Sequence, residues 1–223
     1  MTSRISRVST ISPTNRMEAF SDGVFGIAIT LLVLEIRVPN PAMGPVPHSL
    51  AMSLLVNWPA YLAYLISFVT VGIYWVNHHY LVRLFRGTDH ALNLLNLFLL
   101  MWICLLPFPT AVLSEYMLTP HEQRLAVMLY IGGLLAPALA WDLMWVYATW
   151  GGRLVDPELE PEFVRFLSWQ YAISAVVYPA ALLVAWWNYL AGLLVCVLIT
   201  TLYLFPSRTP VYREKATAGA GPA

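Results

Sequence analysis

The chain has 223 residues, of which 59% are hydrophobic and only 11% charged, with twelve basic and twelve acidic side chains. One core of this size cannot hide so much apolar surface, and soluble domains carry about a quarter charged residues, so an ordinary soluble enzyme is excluded. Disorder, which goes with low hydrophobicity and high net charge, is excluded too, and zero net charge leaves no basic stripe for nucleic acid. What remains is an all-α, polytopic integral membrane protein.

Residues 1–15 contain Arg4 and Arg7 with several Ser and Thr, but no apolar stretch or small-residue cleavage site. They are expected to form a cytoplasmic tail. A bilayer core of about 30 Å needs about 20 helical residues. Six spans are expected within residues 16–205: about Met17 to Val38, Leu50 to Leu84, Asp89 to Tyr116, His121 to Trp150, Glu162 to Trp186 and Asn188 to Phe205. The breaks fall at turn chemistry: Pro39-Asn40-Pro41, Arg86-Gly87, Thr119-Pro120, Gly151-Gly152 with Pro157, and Pro206. Only the Trp186-Trp187-Asn188 neighbourhood separates the last two spans, which predicts a tight helical hairpin. Residues 206–223 are polar, small and basic, and are expected to form a second cytoplasmic tail.

Six spans place both termini on one side. Ten of the twelve basic residues fall on that side and only Arg37 and Arg124 on the other, so the termini are expected to be cytoplasmic. Trp58, Tyr61, Tyr74, Trp75, Tyr116, Trp141, Trp145, Trp150, Trp169, Trp186 and Trp187 lie near span ends and read as an interfacial belt facing membrane lipid. Cys104 and Cys196 sit inside apolar runs and imply neither a disulfide framework nor a zinc site.

The first span differs from the rest. Only the twelve residues Gly23 to Leu34 are free of charge, and Asp22 lies about four residues into the helix. An ionised carboxylate there is costly unless paired or wet, so this helix is expected to face protein or water rather than lipid. Ala19, Gly23, Gly26 and Ala28 permit close helix approach. Ile27, Thr30 and Leu34 recur at i, i+3 and i+7 as one narrow stripe. Around an axis of several copies the stripe makes stacked apolar, hydroxyl and apolar rings; within one subunit it reads as ordinary helix packing.

The second span ends Tyr74-Trp75-Val76-Asn77-His78-His79. Adjacent histidines point to different helix faces, which disfavours a shared metal. A polar network of Arg16, Ser21, Asp22, Asn77 and His78 is the expected way to satisfy the carboxylate. Thr70-Val71-Gly72-Ile73-Tyr74 superficially matches a potassium-channel filter. An extra Ile, a missing second Gly and its place inside a long helix make it a coincidence. Asp142, near Pro137 and Trp141, reads as a proton or substrate site, as a residue held by a neighbouring helix, or as one near the interface. No hydrolase, kinase or dehydrogenase motif is present, so no enzyme activity is expected.

The run Arg16-x-x-x-Phe20-Ser21-Asp22-Gly23 at the opening of the first membrane helix resembles the signature of the endosomal and lysosomal potassium channel family. Trp75-x-x-His78-His79 and the Asn93-to-Pro107 stretch are similar to it as well. The resemblance spans about residues 16 to 205 and is to the single-repeat prokaryotic members. It implies a homotetramer of six-helix subunits whose first helices line a central pore without a carbonyl filter. It further implies that Ile27 forms a hydrophobic gate, that Thr30 and Leu34 face the pore next to it, and that Leu31 is an alternative narrowest ring. Potassium ions would pass near Ile27, Thr30 and Leu34, with no cofactor. Arg16, Phe20, Ser21, Asp22 and Gly23, with Trp75, Asn77 and His78, are implied to hold the first helix to its neighbours. The function implied is a potassium-permeable cation channel; the alternative is a proton-conducting channel or proton-coupled transporter using Asp22 and His78.

Overall fold

A computed structural model of the chain describes residues 11–38, 49–205 and 208–213. The expected positions of Arg4, Arg7 and Lys215, and the breaks at Pro39-Asn40-Pro41 and Pro206, lie outside these residues. The described chain is all-α: α1 (Asn15–Leu31), α2 (Leu50–Val56), α3 (Trp58–Arg83), α4 (His90–Leu105), α5 (Pro107–Tyr116), α6 (Gln123–Thr149), α7 (Pro161–Trp187) and α8 (Tyr189–Tyr203). A 3₁₀ turn, Leu32–Glu35, prolongs α1.

Two of the six expected spans are broken by proline. Pro59 has no N–H to offer the Leu55 carbonyl, which accepts from Asn57 instead, and the second span divides there into α2 and α3. Pro107 likewise leaves the Ile103 carbonyl to the Leu106 N–H (3.2 Å), and the third span divides into α4 and α5. Pro137 in α6 and Pro179 in α7 do not end their helices, as membrane helices tolerate. Side-chain caps start others: Asp89 Oδ1 accepts from Leu92 N at 2.8 Å and Asn188 Oδ1 from Ala191 N at 3.1 Å.

Five stretches are long and apolar enough to cross a membrane: Asn15–Glu35, Trp58–Arg83, His90–Tyr116, Gln123–Gly152 and Pro161–Trp187. The sixth expected span, α8, has 15 residues, about 22 Å of helix. It folds back on α7 as a tight hairpin. A Cβ at Gly192 would stand 2.5 Å from Ala185 Cβ and 2.9 Å from the Ala181 carbonyl oxygen. Gly192→Val is therefore expected to destabilise the subunit by about 1–3 kcal/mol. The check is the thermal unfolding midpoint in detergent, where an unchanged value would contradict the close packing.

α6 is the central helix, packed on α4, α5, α7 and α8, with Val127, Tyr130, Ile131, Leu134 and Met144 fully buried. Trp141 and Trp145 do not join an interfacial belt. They are buried, with ring centroids 5.7 and 5.3 Å from that of Tyr171; depth depends on helix packing, which aromatic content does not encode. Trp150, Trp169 and Trp187 are strongly exposed, as a belt requires.

One end of the bundle is tied by three antiparallel backbone bridges: Ser12 with Thr88, Phe85 with Val155, and Leu159 with Tyr212. Ser12 and Thr88 exchange both N–H···O bonds at 2.8 Å. The segment before α1 and the segment after α8 therefore lie at the same end.

Candidate functional site

α1 packs on α3 and α4 through one face. Met17, Ser21, Phe25, Ala28 and Leu32 are buried on it, at the 3.6-residue period of a helix seated against a neighbour. The opposite side carries Ile27 (61% exposed), Leu34 (69%) and Leu31 (42%), with Thr30 also exposed. Among the described residues these side chains are left largely exposed. The stripe is thus not spent on packing inside its own chain. Thr30 Oγ1 donates to the Ile27 carbonyl at 2.8 Å, which leaves its oxygen lone pairs free to accept. Nothing lies within 4 Å of a Cβ placed at Gly23 or Gly26, so these small residues also face open space on the subunit.

The buried face is fastened by a polar chain. His78 is fully buried; its Nε2 donates to Asn96 Oδ1 at 2.8 Å. Asn96 Nδ2 donates to Ser21 Oγ at 3.0 Å, and Ser21 Oγ donates to the Met17 carbonyl at 2.8 Å. Thus α3, α4 and α1 are joined through three side chains in an apolar setting, where hydrogen bonds are strongest. The Phe25 ring meets the His78 imidazole edge-on at 5.5 Å. A second, exposed pair of contacts runs alongside. Trp75 Nε1 donates to Asp22 Oδ1 at 2.9 Å, and His79 Nδ1 meets the Glu18 carboxylate.

The expected network is therefore divided. Ser21 and His78 are brought together, but Asn96 joins them, whereas Asp22 turns to Trp75. The two histidines do face different ways, as their adjacency requires. Asn77 instead lines a cavity of about 60 Å³ with Tyr74, Gln170 and Tyr171. Arg16 and Phe20 are exposed, and Arg16 has no hydrogen bond or ion pair among the described residues. Asn96, the residue that sequence reasoning missed, was visible only as one of few polar residues in its span. At the far end Arg37 pairs with Glu115 at 2.9 Å, not with Glu35. Both oxygens of Asp142 are buried without a hydrogen-bond partner among the described residues; it is not held by a neighbouring helix.

Residues 16–107 match the sequence profile of a family described as endosomal/lysosomal potassium channel TMEM175. A protein named as a potassium channel of Streptomyces collinus is 41% identical over 169 residues, covering 76% of this chain and 81% of that one. One of Chamaesiphon minutus is 44% identical over 170 residues, covering 76% and 83%. The human protein named as endosomal/lysosomal proton channel TMEM175 is 38% identical over 113 residues, 48% of this chain and 22% of its own length. Among solved structures, the crystal structure of a lysosomal potassium-selective channel TMEM175 homolog from Chamaesiphon minutus superposes with a TM-score of 0.77 at 38% identity. That match covers 86% of this chain and 96% of that one.

Proposed function

Because the chain belongs to the TMEM175 family of ion channels, we propose that it is a potassium-permeable cation channel assembled as a homotetramer, with α1 from each copy lining a central pore. The observation that carries this reading is the uncovered ridge of Ile27, Thr30, Leu31 and Leu34 on a helix whose other face is fully seated. Conduction resides in residues 16–205, with both termini in the cytoplasm of a prokaryotic cell, flanked by short tails.

The mechanism follows from side-chain chemistry. A ring of Ile27 offers no ligands, so an ion crosses it nearly hydrated or at the cost of partial dehydration. Potassium holds its water less tightly than sodium and loses less there. A narrow apolar ring also closes by dewetting. Thr30, one turn on, has its proton committed to the Ile27 carbonyl. Four such oxygens present lone pairs toward the axis and replace some of the water lost at Ile27. Leu34 forms the next apolar ring. Glu35, unpaired with Arg37, raises the local cation concentration at the outer end.

A proton route through Asp22 and His78 is the lesser reading, although the animal relatives are named as proton channels. Asp22 and His78 bond to different partners, so no continuous relay joins them.

The test is potassium and sodium flux into liposomes holding the purified chain, alongside its subunit number in detergent. Potassium flux exceeding sodium flux is expected, from a tetramer. Thr30→Ala is expected to cut the potassium preference about threefold, since losing under 1 kcal/mol of differential solvation has that effect. A monomer, or liposomes no leakier than empty ones, would overturn the proposal.

A further inference from the structure

At the bundle end that carries the three backbone bridges there is a separate open cleft of about 940 Å³ between the α3–α4 junction and the end of α6. Arg86 and Arg153 project into it from chain positions 67 residues apart. The Arg86 side chain is tied to the Arg153 backbone, because Arg86 Nη2 donates to the Arg153 carbonyl at 2.5 Å. The Arg153 guanidinium stands 5.0 Å over the Tyr147 ring. Both arginines are exposed, and neither pairs with a carboxylate among the described residues. The one acid in the cleft, Asp89, is already engaged: Oδ1 accepts from Leu92 N at 2.8 Å and Oδ2 from Tyr147 OH at 2.7 Å. It also sits at the positive end of α4, which offsets its charge. Trp150, 78% exposed, flanks the cleft at the end of a membrane-crossing helix, the position of an interfacial anchor.

Two guanidiniums without a carboxylate partner among the described residues, one tied to backbone and one resting on Tyr147, beside an interfacial tryptophan, match an anionic phosphodiester at headgroup depth. We propose that this cleft binds the headgroup of an anionic phospholipid, with Arg86 and Arg153 on the phosphate and Trp150 against the glycerol and upper acyl region. The inference needs no assumption about permeation. It takes from the proposed orientation only that this end faces the inner leaflet. Ile11 lines the same cleft, one residue before the Ser12–Thr88 bridge that leads into α1, so the headgroup touches the segment that positions the pore helix.

The test uses the full chain in detergent. Retention of phosphatidylglycerol and of phosphatidylcholine is counted by native mass spectrometry for wild type, for Arg86→Gln/Arg153→Gln and for Arg165→Gln, a charge loss at the same end but outside the cleft. Wild type is expected to hold phosphatidylglycerol in clear preference, the double variant to hold it at least about tenfold more weakly, and Arg165→Gln to match wild type. Should the double variant not fold, the two single variants are read in its place, each expected to weaken retention about fivefold. Equal retention by wild type and the cleft variants would overturn the proposal, as would an equal loss in Arg165→Gln, which marks general surface charge. A third arm adds millimolar inorganic phosphate. If it displaces phosphatidylglycerol completely from wild type, the cleft is a soluble-anion site and the lipid assignment fails.

Discussion

Ile27→Asn is expected to raise single-channel conductance about tenfold in planar bilayers and to bring the potassium-to-sodium permeability ratio close to one. The reasoning is about where dehydration occurs. An isoleucine ring excludes water without replacing it, so the barrier there is the part of the hydration shell that must be shed. An amide at the same position returns both donors and acceptors, keeps the ring wet and lowers the barrier for either cation; a lowering of about 1.4 kcal/mol is a factor of ten in rate. Selectivity falls with the barrier, because the difference between the two ions arises only where water is stripped. Ile27 is 61% exposed on the subunit, so the substitution adds no buried polar group to the fold and leaves assembly intact. Unchanged conductance in a well-formed oligomer would sink the assignment of Ile27 as the constriction.

Asn96→Leu is expected to loosen the seat of α1 and lower stability by about 2 kcal/mol or more. Asn96 is the only hydrogen-bonding partner of the His78 ring among the described residues, since Nδ1 has none. Intramembrane hydrogen bonds average only about 0.6 kcal/mol when one pair is compared with its replacement. Here, however, the substitution strands a fully buried imidazole as well as removing a bond to Ser21, and each stranded group costs about 1–3 kcal/mol. The stranding cost therefore dominates. The discriminating measurement is a cycle with His78→Phe, followed by thermal unfolding in detergent. The double variant, with both partners apolar, is expected to recover a good part of the lost stability. If the double variant loses, relative to wild type, the sum of what the two single variants lose, the two residues are not coupled and the chain to Ser21 does not fasten α1.

Much of this arrangement could be read from residue order, and the parts that could not have identifiable causes. Span positions follow from apolar length, and the ridge of Ile27, Thr30 and Leu34 from helical spacing. Partner choice in the polar network does not, because it depends on helix phase. Ser21 and Asp22 are adjacent, and a helix turns about 100° per residue, so one faces α4 and the other Trp75 on α3. In the structure the buried face at Met17, Ser21, Phe25 and Ala28 holds Ser21 inward and leaves Asp22 outside it. What no local pattern supplied was Asn96, 75 residues from Ser21. The breaks at Asn57 and Leu106 were hidden for another reason: Pro59 and Pro107 lie in apolar runs where composition stays uniform while the hydrogen-bond ladder is interrupted.

The bridges at one end of the bundle anchor the start of α1 by two backbone bonds at Ser12, and the buried Ser21 contact follows inside the helix. Farther along, Phe25, Ala28 and Leu32 are buried, and Asn57 Nδ2 and Glu115 both reach Arg37. The helix is therefore wedged along its whole length, and swinging it alone would empty a packed seam. A change in the width of the proposed pore is expected to come from whole subunits shifting together, with α1 carried as part of a rigid body.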